Sequence, residues 1–391
     1  MLSRRTAWGS PRNRLTIARE EAVARGQELI DLTESNPTRA GIEYPVAELG
    51  ELLRKSASAP YDPDPLGMRS AREALAEHLA SEGDPVHPDD LVLTCSTSEA
   101  YSYLFKILAD PGDEIVTHTP SYPLLDHLAE LESVRLRRFP LHFHGARWEI
   151  ETSSAAAAIE QRARAVVVIH PNNPTGSYLD LQQQNELAAL CASKQVPIIS
   201  DEVFLDYPIG AAKGTTFAAV DGVTVFALGG LSKGAGLPHW KLGWIRIGGS
   251  RPDRESFRGA LELVADSYLS VHSAVQASLP LLLPLASGIA DAIRVRIRGN
   301  AGVLSRMISR APGLQLLPIE GGWSAVIRVP SLGSDEDLAI ELIESASVIV
   351  QPGYFYDFAA EGYLVVSLLC QPGQFETGVG RMVDFLSNRL S

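Results

Sequence analysis

The chain has 391 residues, of which 45% are hydrophobic and 21% charged, which are proportions of a soluble globular protein and exclude a disordered one. A formal net charge of -13 excludes a broad nucleic-acid surface, because phosphate binding requires clustered lysine and arginine side chains. The length is typical of two domains, or of one large domain with a smaller one attached.

Cysteine usage and hydropathy restrict the location of the protein. Cys95, Cys191 and Cys370 are widely spaced and odd in number, so they predict neither a disulfide framework nor a zinc site and fit a reducing cytoplasm. The N-terminus lacks the apolar segment of a secretory signal. The most apolar run, residues 279–293, is interrupted at Pro284 and is predicted to fall short of a membrane-spanning helix. We therefore expect a cytoplasmic protein that binds neither membrane nor nucleic acid.

Seven apolar runs alternate with helical patterns through the middle of the chain. Several are rich in valine and isoleucine on both faces, as buried parallel strands are. The runs are residues 91–95, 114–118, 134–141, 165–170, 196–204, 223–231 and 242–249. They predict an α/β fold with a three-layer large domain around a mostly parallel, seven-stranded sheet.

The pattern changes after about residue 255 to long helical stretches, isolated strands and a closing helix near 374–390. We interpret this part as a smaller α+β domain that the N-terminal arm completes. The predicted division is residues 1–45 for the arm, 46–285 for the large domain and 286–391 for the small domain.

Polar segments follow the predicted strands, where ligands of open α/β sheets bind. HPNNPTG presents Asn172 and Asn173 on a turn stiffened by two prolines. Asp201 ends an apolar run, and a carboxylate buried there needs a cationic partner. That partner could be a ligand, or a cationic side chain in an ion pair that serves the structure alone.

A second group of polar segments lies at the same predicted edge. TCSTSEA places hydroxyls at a helix start, where Ser98 is a predicted N-cap and where phosphate also binds. Tyr122 in PSYP is an aromatic side chain at this rim. LSK ends another strand at Lys233, followed by a glycine-rich loop.

The order and spacing of these segments resemble the fold-type I pyridoxal-phosphate enzymes, specifically the class I/II aminotransferases. The resemblance extends from SNPT at 35–38, through the helix start, PSYP, NNPTG, DEVF and LSK, to PGYFYDF and YLVVSLL. It implies that pyridoxal 5'-phosphate is the cofactor and that no metal is needed.

The resemblance assigns roles to the strand-end residues. Lys233 would form the internal aldimine and shuttle the proton between the substrate Cα and the cofactor C4′. Asp201 would pair with the pyridine N–H, Asn173 would donate to the 3′-oxygen, and Tyr122 would stack on the ring. The phosphate would be held by Ser96, Thr97, Ser98, Ser232 and Lys241.

Tyr61, in YDPDPLG, resembles a tyrosine that reaches the phosphate of a partner subunit. This similarity implies a homodimer with shared active sites.

Three positions depart from the family pattern. Phe204 replaces a tyrosine that bonds the 3′-oxygen, and the nearby Tyr207 is expected to serve packing alone. Lys241 replaces an arginine at the phosphate. Val365 stands where an arginine usually grips the substrate α-carboxylate.

Candidate substrate-binding residues are Asn36, Arg39 and Trp323, although Arg39 would serve equally as a surface arginine and Trp323 equally as core. Arg328 is a further candidate for the missing cation, but strand alternation places it on the face opposite Trp323.

The expected function is transfer of an amino group between an amino acid and a 2-oxo acid. Because one fold supports several chemistries, a lyase, decarboxylase or oxidase of the same fold stays open as an alternative. A non-catalytic ligand-sensing domain is a third alternative. It is disfavoured by the short N-terminal arm and the negative charge.

Overall fold

The computed structural model describes residues 3–6, 12–58, 61, 63–159, 162–210, 214–330 and 333–390. The strands within these residues are β1 Ile30–Asp31, β2 Leu91–Thr94, β3 Glu114–Thr119, β4 Arg135–Phe143, β5 Trp148–Ile150, β6 Ala163–Ile169, β7 Ile198–Asp201, β8 Val225–Gly230, β9 Gly243–Ile247, β10 Gln315–Leu316, β11 Ser324–Arg328, β12 Val348–Ile349, β13 Gln351–Pro352 and β14 Tyr363–Ser367. The helices are α1 Arg14–Ala24, α2 Val46–Ser56, α3 Arg69–Ser81, α4 Thr97–Leu108, α5 Leu124–Leu131, α6 Thr152–Ala158, α7 Leu181–Lys194, α8 Leu231–Gly234, α9 Arg251–Asp266, α10 Ser273–Ile308, α11 Asp335–Glu341 and α12 Pro372–Leu390.

The large sheet has the strand order β2-β9-β8-β7-β6-β3-β4-β5. Strands β8, β7, β6, β3 and β4 are parallel to one another, whereas β9 is antiparallel to both β8 and β2, and β5 is antiparallel to β4. All seven predicted strands are present. The prediction missed β5, because its three residues form an edge strand too short to give a clear periodicity.

Side-chain alternation along the sheet creates a helix layer on each face. In β6, Ala165 and Val167 pack in one hydrophobic cluster with residues of α4, α5 and α9, while Val166 and Val168 pack in another with residues of α6 and α7. All four side chains are fully buried, as expected for a parallel strand covered on both faces. The predicted three-layer arrangement is confirmed.

The parallel strands bring the polar segments of the sequence to one edge. Strands β2, β3, β6, β7 and β8 share a direction, and their carboxyl ends lead into TCSTSEA, PSYP, NNPTG, DEVF and LSK respectively. Chain positions up to 140 residues apart in the sequence therefore lie around one crevice, in the place where such sheets bind ligands.

Helix α10 corrects one expectation. It continues through Pro280 and Pro284, so the run that contains them is not interrupted. By length and composition it is the one described helix that is apolar enough to cross a membrane, and half of its most apolar window is buried inside the protein. Its buried residues include Leu279, Leu283 and Ile293, which pack in the largest hydrophobic cluster.

The C-terminal strands form a four-stranded antiparallel sheet of order β10-β11-β14-β13. Part of the N-terminal arm joins this region, since β1 pairs in parallel with β12 and Arg14 of α1 forms ion pairs with Glu336 and Asp337 of α11. The predicted boundary at residue 285 falls inside α10. The division into domains stays a prediction.

Candidate active site

The segment that carries Lys233 packs closely on the start of α4. The N–H of Leu231 donates to the carbonyl of Leu242 over 3.0 Å, which folds the loop back on itself. A Cβ at Gly243 would lie 3.1 Å from the backbone carbon of Ser96, so any larger residue would push the two segments apart. Glycine therefore permits the lysine loop and the helix start to share one small volume.

The ε-amine of Lys233 faces aromatic rings. Its Nζ lies 5.1 Å from the ring centroid of Trp323 and 5.8 Å from that of Phe204. Burial lowers the pKa of Lys233, and the negative charge of Asp201 opposes that effect. A lowered pKa increases the fraction of neutral amine, which is the form able to attack a carbonyl carbon.

Two tyrosines, the buried Tyr207 and the half-buried Tyr44, hold the backbone around Lys233. The hydroxyl of Tyr207 lies 2.7 Å from the carbonyl oxygen of Lys233 and 3.1 Å from that of Gly234, and its proton is shared between them. Tyr44 donates to the carbonyl of Gly236 over 2.7 Å. The expectation that Tyr207 serves packing alone is wrong, because its hydroxyl fixes the main chain at the lysine itself.

Asp201 ends β7 beside this loop. Burial raises the pKa of Asp201 to about 6, and that rise is opposed by the Val203 N–H, the Tyr101 hydroxyl and the charge of Lys233. The Val203 N–H donates to Oδ1 over 3.3 Å and the Tyr101 hydroxyl donates to Oδ2 over 3.0 Å. The carboxylate is thus oriented by one bond on each oxygen, and Lys233 is a nearby group able to carry positive charge.

Helix α4 begins at Thr97 because Ser96 caps it. The Ser96 hydroxyl accepts from the N–H of Glu99 over 3.2 Å, and the Glu99 carboxylate accepts from the N–H of Cys95 over 2.7 Å. The Ser96 bond is the N-cap of the helix, and the Glu99 side chain reaches back to the residue before that cap. The prediction of Ser98 as N-cap is wrong. An N-cap side chain accepts from the N–H two or three residues later, and the serine that accepts from Glu99 is Ser96. Thr97 and Ser98 instead occupy the first helical turn.

Lys241 and Ser232 belong to the segment that follows β8. Lys241 is exposed and adopts a left-handed backbone conformation with φ of 48°. Burial raises the pKa of Cys95, and the positive charge of Lys241 opposes that rise, so the ammonium lies near the segment before α4. Ser232 is half-buried in α8, next to Lys233.

The two asparagines of NNPTG have different partners. Asn172 is buried and its amide donates to the carbonyl of Pro120 over 3.1 Å and to the Thr175 hydroxyl over 2.9 Å, which joins this turn to the PSYP turn. Asn173 is half-buried, and its Oδ1 accepts from the hydroxyl of Ser324 over 3.1 Å. Asn173 therefore links the edge of the large sheet to β11 and keeps its side-chain N–H groups directed away from that bond.

The two predicted aromatic contacts occupy different surroundings. Tyr122 is 44% exposed, and burial of its hydroxyl end together with the charge of Asp201 raises its pKa, so it borders the Asp201 side of the crevice. Tyr61 is 71% exposed. Its side chain is open to solvent, and its predicted role at a partner's site stays a prediction.

The predicted substrate residues separate into two groups. Trp323 is buried and packs edge-on against Phe204 at 5.2 Å, so the structure brings it to the wall beside Lys233. Asn36 accepts from the N–H and hydroxyl of Thr38 and so stabilises its own turn.

The two candidate arginines are both exposed. The Arg39 side chain is 74% exposed and its Nε lies 3.4 Å from a carboxylate oxygen of Glu34. Arg328 is exposed at the far end of β11, pairing with Tyr363. Arg39 thus has an acidic partner and Arg328 faces solvent, so the structure gives neither arginine a place beside Lys233.

Val365 lies in an apolar cluster. It is 1% exposed and opposite Val326 in the β11–β14 ladder. The cluster also contains Leu141, Trp148 and Tyr356. The position at which the family pattern has an arginine is therefore part of the packing between β14 and the edge of the large sheet.

The donor set fits pyridoxal phosphate. A helix start with free N–H groups and hydroxyls suits a phosphate, and Lys241 adds positive charge there. A lysine with a lowered pKa suits covalent attachment, and the buried carboxylate of Asp201 suits a protonated ring nitrogen. Among the described residues, no group of three or more His, Cys, Asp or Glu side chains is arranged to hold a metal ion.

Three residues of the site, Tyr101, Tyr44 and Ser324, were missed in the sequence, and a fourth, Tyr207, was given the wrong role. Tyr101 follows Thr97 by four positions, so helical periodicity places it on the same face of α4 and would have identified it. The other three act across long sequence separations, and no local pattern marks them.

Comparisons with known proteins agree with this geometry. The family model described as aminotransferase class I and II matches residues 28–381. A tyrosine aminotransferase of Caenorhabditis elegans is 25% identical over 324 residues, which are 82% of this chain and 69% of that protein. An alanine aminotransferase of Mycobacterium bovis is 24% identical over 377 residues, covering 93% of this chain and 86% of that protein.

Solved structures show the same fold. An alanine aminotransferase from Pyrococcus furiosus superposes with a TM-score of 0.89 at 22% identity and covers all of both chains. An aspartate aminotransferase double mutant from Thermus thermophilus gives 0.86 at 22% identity, covering 99% of this chain and 100% of that one. The chain belongs to the class I and II aminotransferases, a family of pyridoxal-phosphate-dependent enzymes that transfer amino groups.

Proposed function

We propose that Lys233 carries pyridoxal phosphate covalently through its ε-amine and that the chain there transfers an amino group between an amino acid and a 2-oxo acid. The observation that carries the proposal is that Lys233, half-buried and lowered in pKa, lies within electrostatic reach of the half-buried carboxylate of Asp201 at the carboxyl edge of the sheet. Both groups suit this cofactor. Apolar residues at these two positions would pack at least as well, so packing alone does not explain a lysine and an aspartate there.

The cofactor, when bound, supplies an electron sink that stabilises negative charge at the substrate Cα. Asp201 would pair with the ring nitrogen and favour its protonated form. Asn173 would donate to the 3′-oxygen from its amide nitrogen, because its Oδ1 already accepts from Ser324. Tyr122 would cover one face of the ring.

Lys233 would also move the proton. A neutral ε-amine can accept a proton from the substrate Cα, and its lowered pKa keeps more of it neutral near pH 7. The bond from Tyr207 holds the carbonyl of the same residue, so the main chain stays fixed while the side chain moves. The rings of Phe204 and Trp323 exclude water from this side of the amine.

The phosphate would be held at the first turn of α4. Thr97 and Ser98 would contribute hydroxyl and N–H groups, and Ser232 and Lys241 would approach from the lysine loop. The hydroxyl oxygen of Ser96 accepts from the Glu99 N–H in the helix cap, so its own proton would be the group that Ser96 offers to the phosphate. A lysine at position 241 supplies charge without the bidentate geometry of an arginine.

Borohydride reduction tests the attachment. Purified protein should absorb in the visible, and reduction followed by proteolysis and mass spectrometry should find the phosphopyridoxyl group on the peptide that contains Lys233. Lys233→Ala should abolish this attachment, whereas Lys241→Ala, the matched control, should weaken binding and leave the attachment site unchanged. Colourless protein that takes up no cofactor would overturn the proposal.

A donor panel tests the reaction. Amino acids and amines added singly should convert the bound cofactor to its amine form, and a 2-oxo acid should restore the original spectrum. Release of ammonia and a keto acid without any acceptor would instead indicate the lyase alternative. Amines without a carboxylate belong in the panel, since Val365 stands where a carboxylate-binding arginine is expected.

We further propose that the enzyme acts as a cytoplasmic homodimer in which Tyr61 reaches the partner's phosphate site. The high exposure of Tyr61 and the three free cysteines support this. Sedimentation should give twice the chain mass, and Tyr61→Phe should weaken cofactor binding by about tenfold. A monomer with full cofactor affinity would contradict the shared site, and recovery in a membrane fraction would contradict the location.

A further inference from the structure

Tyr101 makes a hydrogen bond that the catalytic roles proposed above do not use. Its hydroxyl donates to Oδ2 of Asp201 over 3.0 Å, and the residue is 5% exposed. Tyr101 lies one helical turn after Thr97 in α4, so one short helix carries a predicted phosphate ligand and a partner of the buried carboxylate.

We propose that Tyr101 is a positioning residue of the cofactor site: its hydroxyl holds Asp201 ionised and in a fixed orientation, so that the proton stays on the ring nitrogen. This inference rests on the proposed role of Asp201 opposite that nitrogen. It adds a residue that touches neither substrate nor cofactor and acts only through the carboxylate.

The surroundings of Asp201 make this bond influential. The titratable groups that act on it or sense its charge are Tyr101 from α4, Lys233 from α8 and Tyr122 from the PSYP turn. Its register partners in the flanking strands, Ile169 and Leu228, are apolar. Few groups compensate the charge, so each hydrogen bond to it has a large effect.

Loss of the bond should make Asp201 more basic. Burial already raises its pKa to about 6, and the Tyr101 hydroxyl is among the groups that oppose the rise. A hydrogen bond to a charged group corresponds to roughly one pKa unit. When a carboxylate and a ring nitrogen share one proton, a more basic carboxylate takes a larger share of it. The ring nitrogen would then be less protonated and a weaker electron sink.

The cofactor-free protein provides the first test, with Tyr101→Phe as the variant and Tyr103→Phe as the control. Tyr103 is buried on the same helix and packs against Tyr268 with ring centroids 5.5 Å apart. Asp201 has a folded pKa above its unfolded value, so its contribution to stability is present at low pH and is lost as pH rises through about 6.

In Tyr101→Phe the pKa of Asp201 should be about one unit higher, so this loss of stability should continue to about pH 7. The stability deficit of the variant relative to wild type should therefore be constant below about pH 5 and increase between about pH 6 and 7, by roughly tenfold in the unfolding constant. Chemical denaturation at a series of pH values measures it. Tyr103→Phe should show no such step near pH 6 to 7.

The loaded protein provides the second test. With pyridoxal phosphate labelled with ¹⁵N in the ring, the wild-type nitrogen should resonate as a protonated pyridine, and Tyr101→Phe should shift it toward the unprotonated position. Replacement of Tyr101 by 3-fluorotyrosine, which is a stronger donor, should return the wild-type signal.

The outcomes separate the inference from the proposed function. Both expected changes in Tyr101→Phe, with neither in Tyr103→Phe, would support the positioning role. A pH-independent deficit in the cofactor-free variant would overturn it, as would an unchanged ¹⁵N signal in the loaded variant, while either result leaves the aminotransferase site intact. Wild-type protein that binds no cofactor would overturn the proposed function and this inference together.

Discussion

The two sides of the crevice differ in chemistry. The large-sheet side presents polar groups with assigned partners, such as Asp201 between Val203 and Tyr101, and Asn173 bonded to Ser324. The β11–β14 side presents Trp323 near the lysine and, farther along, Val365 in an apolar cluster. The first side is equipped for a charged cofactor, and the second is lined mainly by apolar surface.

This difference shows which part of the site defines the family and which part defines the substrate. The cofactor is the same throughout the family, and on this side the chain keeps the lysine, the carboxylate and the asparagine of the family pattern and departs from it at Phe204 and Lys241. The substrate side is where members differ, and there the chain replaces an expected arginine with packed valine. Substitutions on the large-sheet side should therefore reduce turnover most, whereas substitutions on the β11–β14 side should mainly reduce stability or change the surroundings of Lys233.

Asp201→Asn should cause the largest loss, because it removes the charge that favours a protonated ring nitrogen while keeping the shape. We expect turnover to fall by about a hundredfold or more, the effect of removing one well-placed electrostatic group. Glu202→Gln is the matched control. Glu202 accepts from the Ser200 hydroxyl and the Phe217 N–H. Burial raises its pKa to about 7, so in an assay near pH 7 its carboxyl group is already partly neutral. Equal losses in both variants would remove the special role of Asp201.

Val365→Thr tests the apolar side. Threonine has the shape of valine but buries a hydroxyl, which should lower the free energy of unfolding by about 1 to 3 kcal/mol without changing the visible absorption of the bound cofactor. Val365→Ile, which stays apolar, is the control, and denaturant titration measures both. Equal free energies of unfolding for the threonine and isoleucine variants would show that water reaches the side chain at position 365.

Tyr207→Phe removes the hydroxyl that the carbonyls of Lys233 and Gly234 share. The variant keeps the ring contact with Trp323, so we expect a loss of about 1 kcal/mol in the free energy of unfolding. Turnover should fall further than stability implies, because the lysine backbone is released. Unchanged turnover would show that the loop is held by other contacts.

Trp323→Leu should give the smallest effect. Burial lowers the pKa of Lys233, so in the cofactor-free protein its amine should react with an acylating reagent at a lower pH than an ordinary lysine. A smaller side chain admits water and should move that reactivity to higher pH. Mass spectrometry of the Lys233 peptide across a pH series measures the midpoint. An unchanged midpoint would indicate that the tryptophan does not shield the amine.

Much of the fold was predictable, because strand periodicity and burial are local properties. The runs that became β6, β7 and β8 are almost continuously apolar and admit one interpretation. Two errors had physical causes. Edge strand β5 is too short for periodicity to show, and α10 continues through Pro284 because its packed face compensates for the missing backbone bond.

The candidate site was predictable to the extent that its residues lie at strand ends. Asp201, Asn173 and Lys233 meet at one edge because parallel strands share a direction, and the sequence order is enough to infer it. The cap at Ser96 was misplaced by two residues, since both serines in STS satisfy the capping rule. The bond from Ser324 to Asn173 depends on how the small sheet meets the large one, which no local pattern encodes.

Helix α4 also acts as a spacer of fixed length. It carries Thr97, a proposed phosphate ligand, and Tyr101, which bonds Asp201. Four residues of helix separate the two by about 6 Å along the axis. Inserting one residue between them would rotate Tyr101 by about 100° and break its alignment with Asp201. Insertions in this single turn should therefore be excluded from functional relatives.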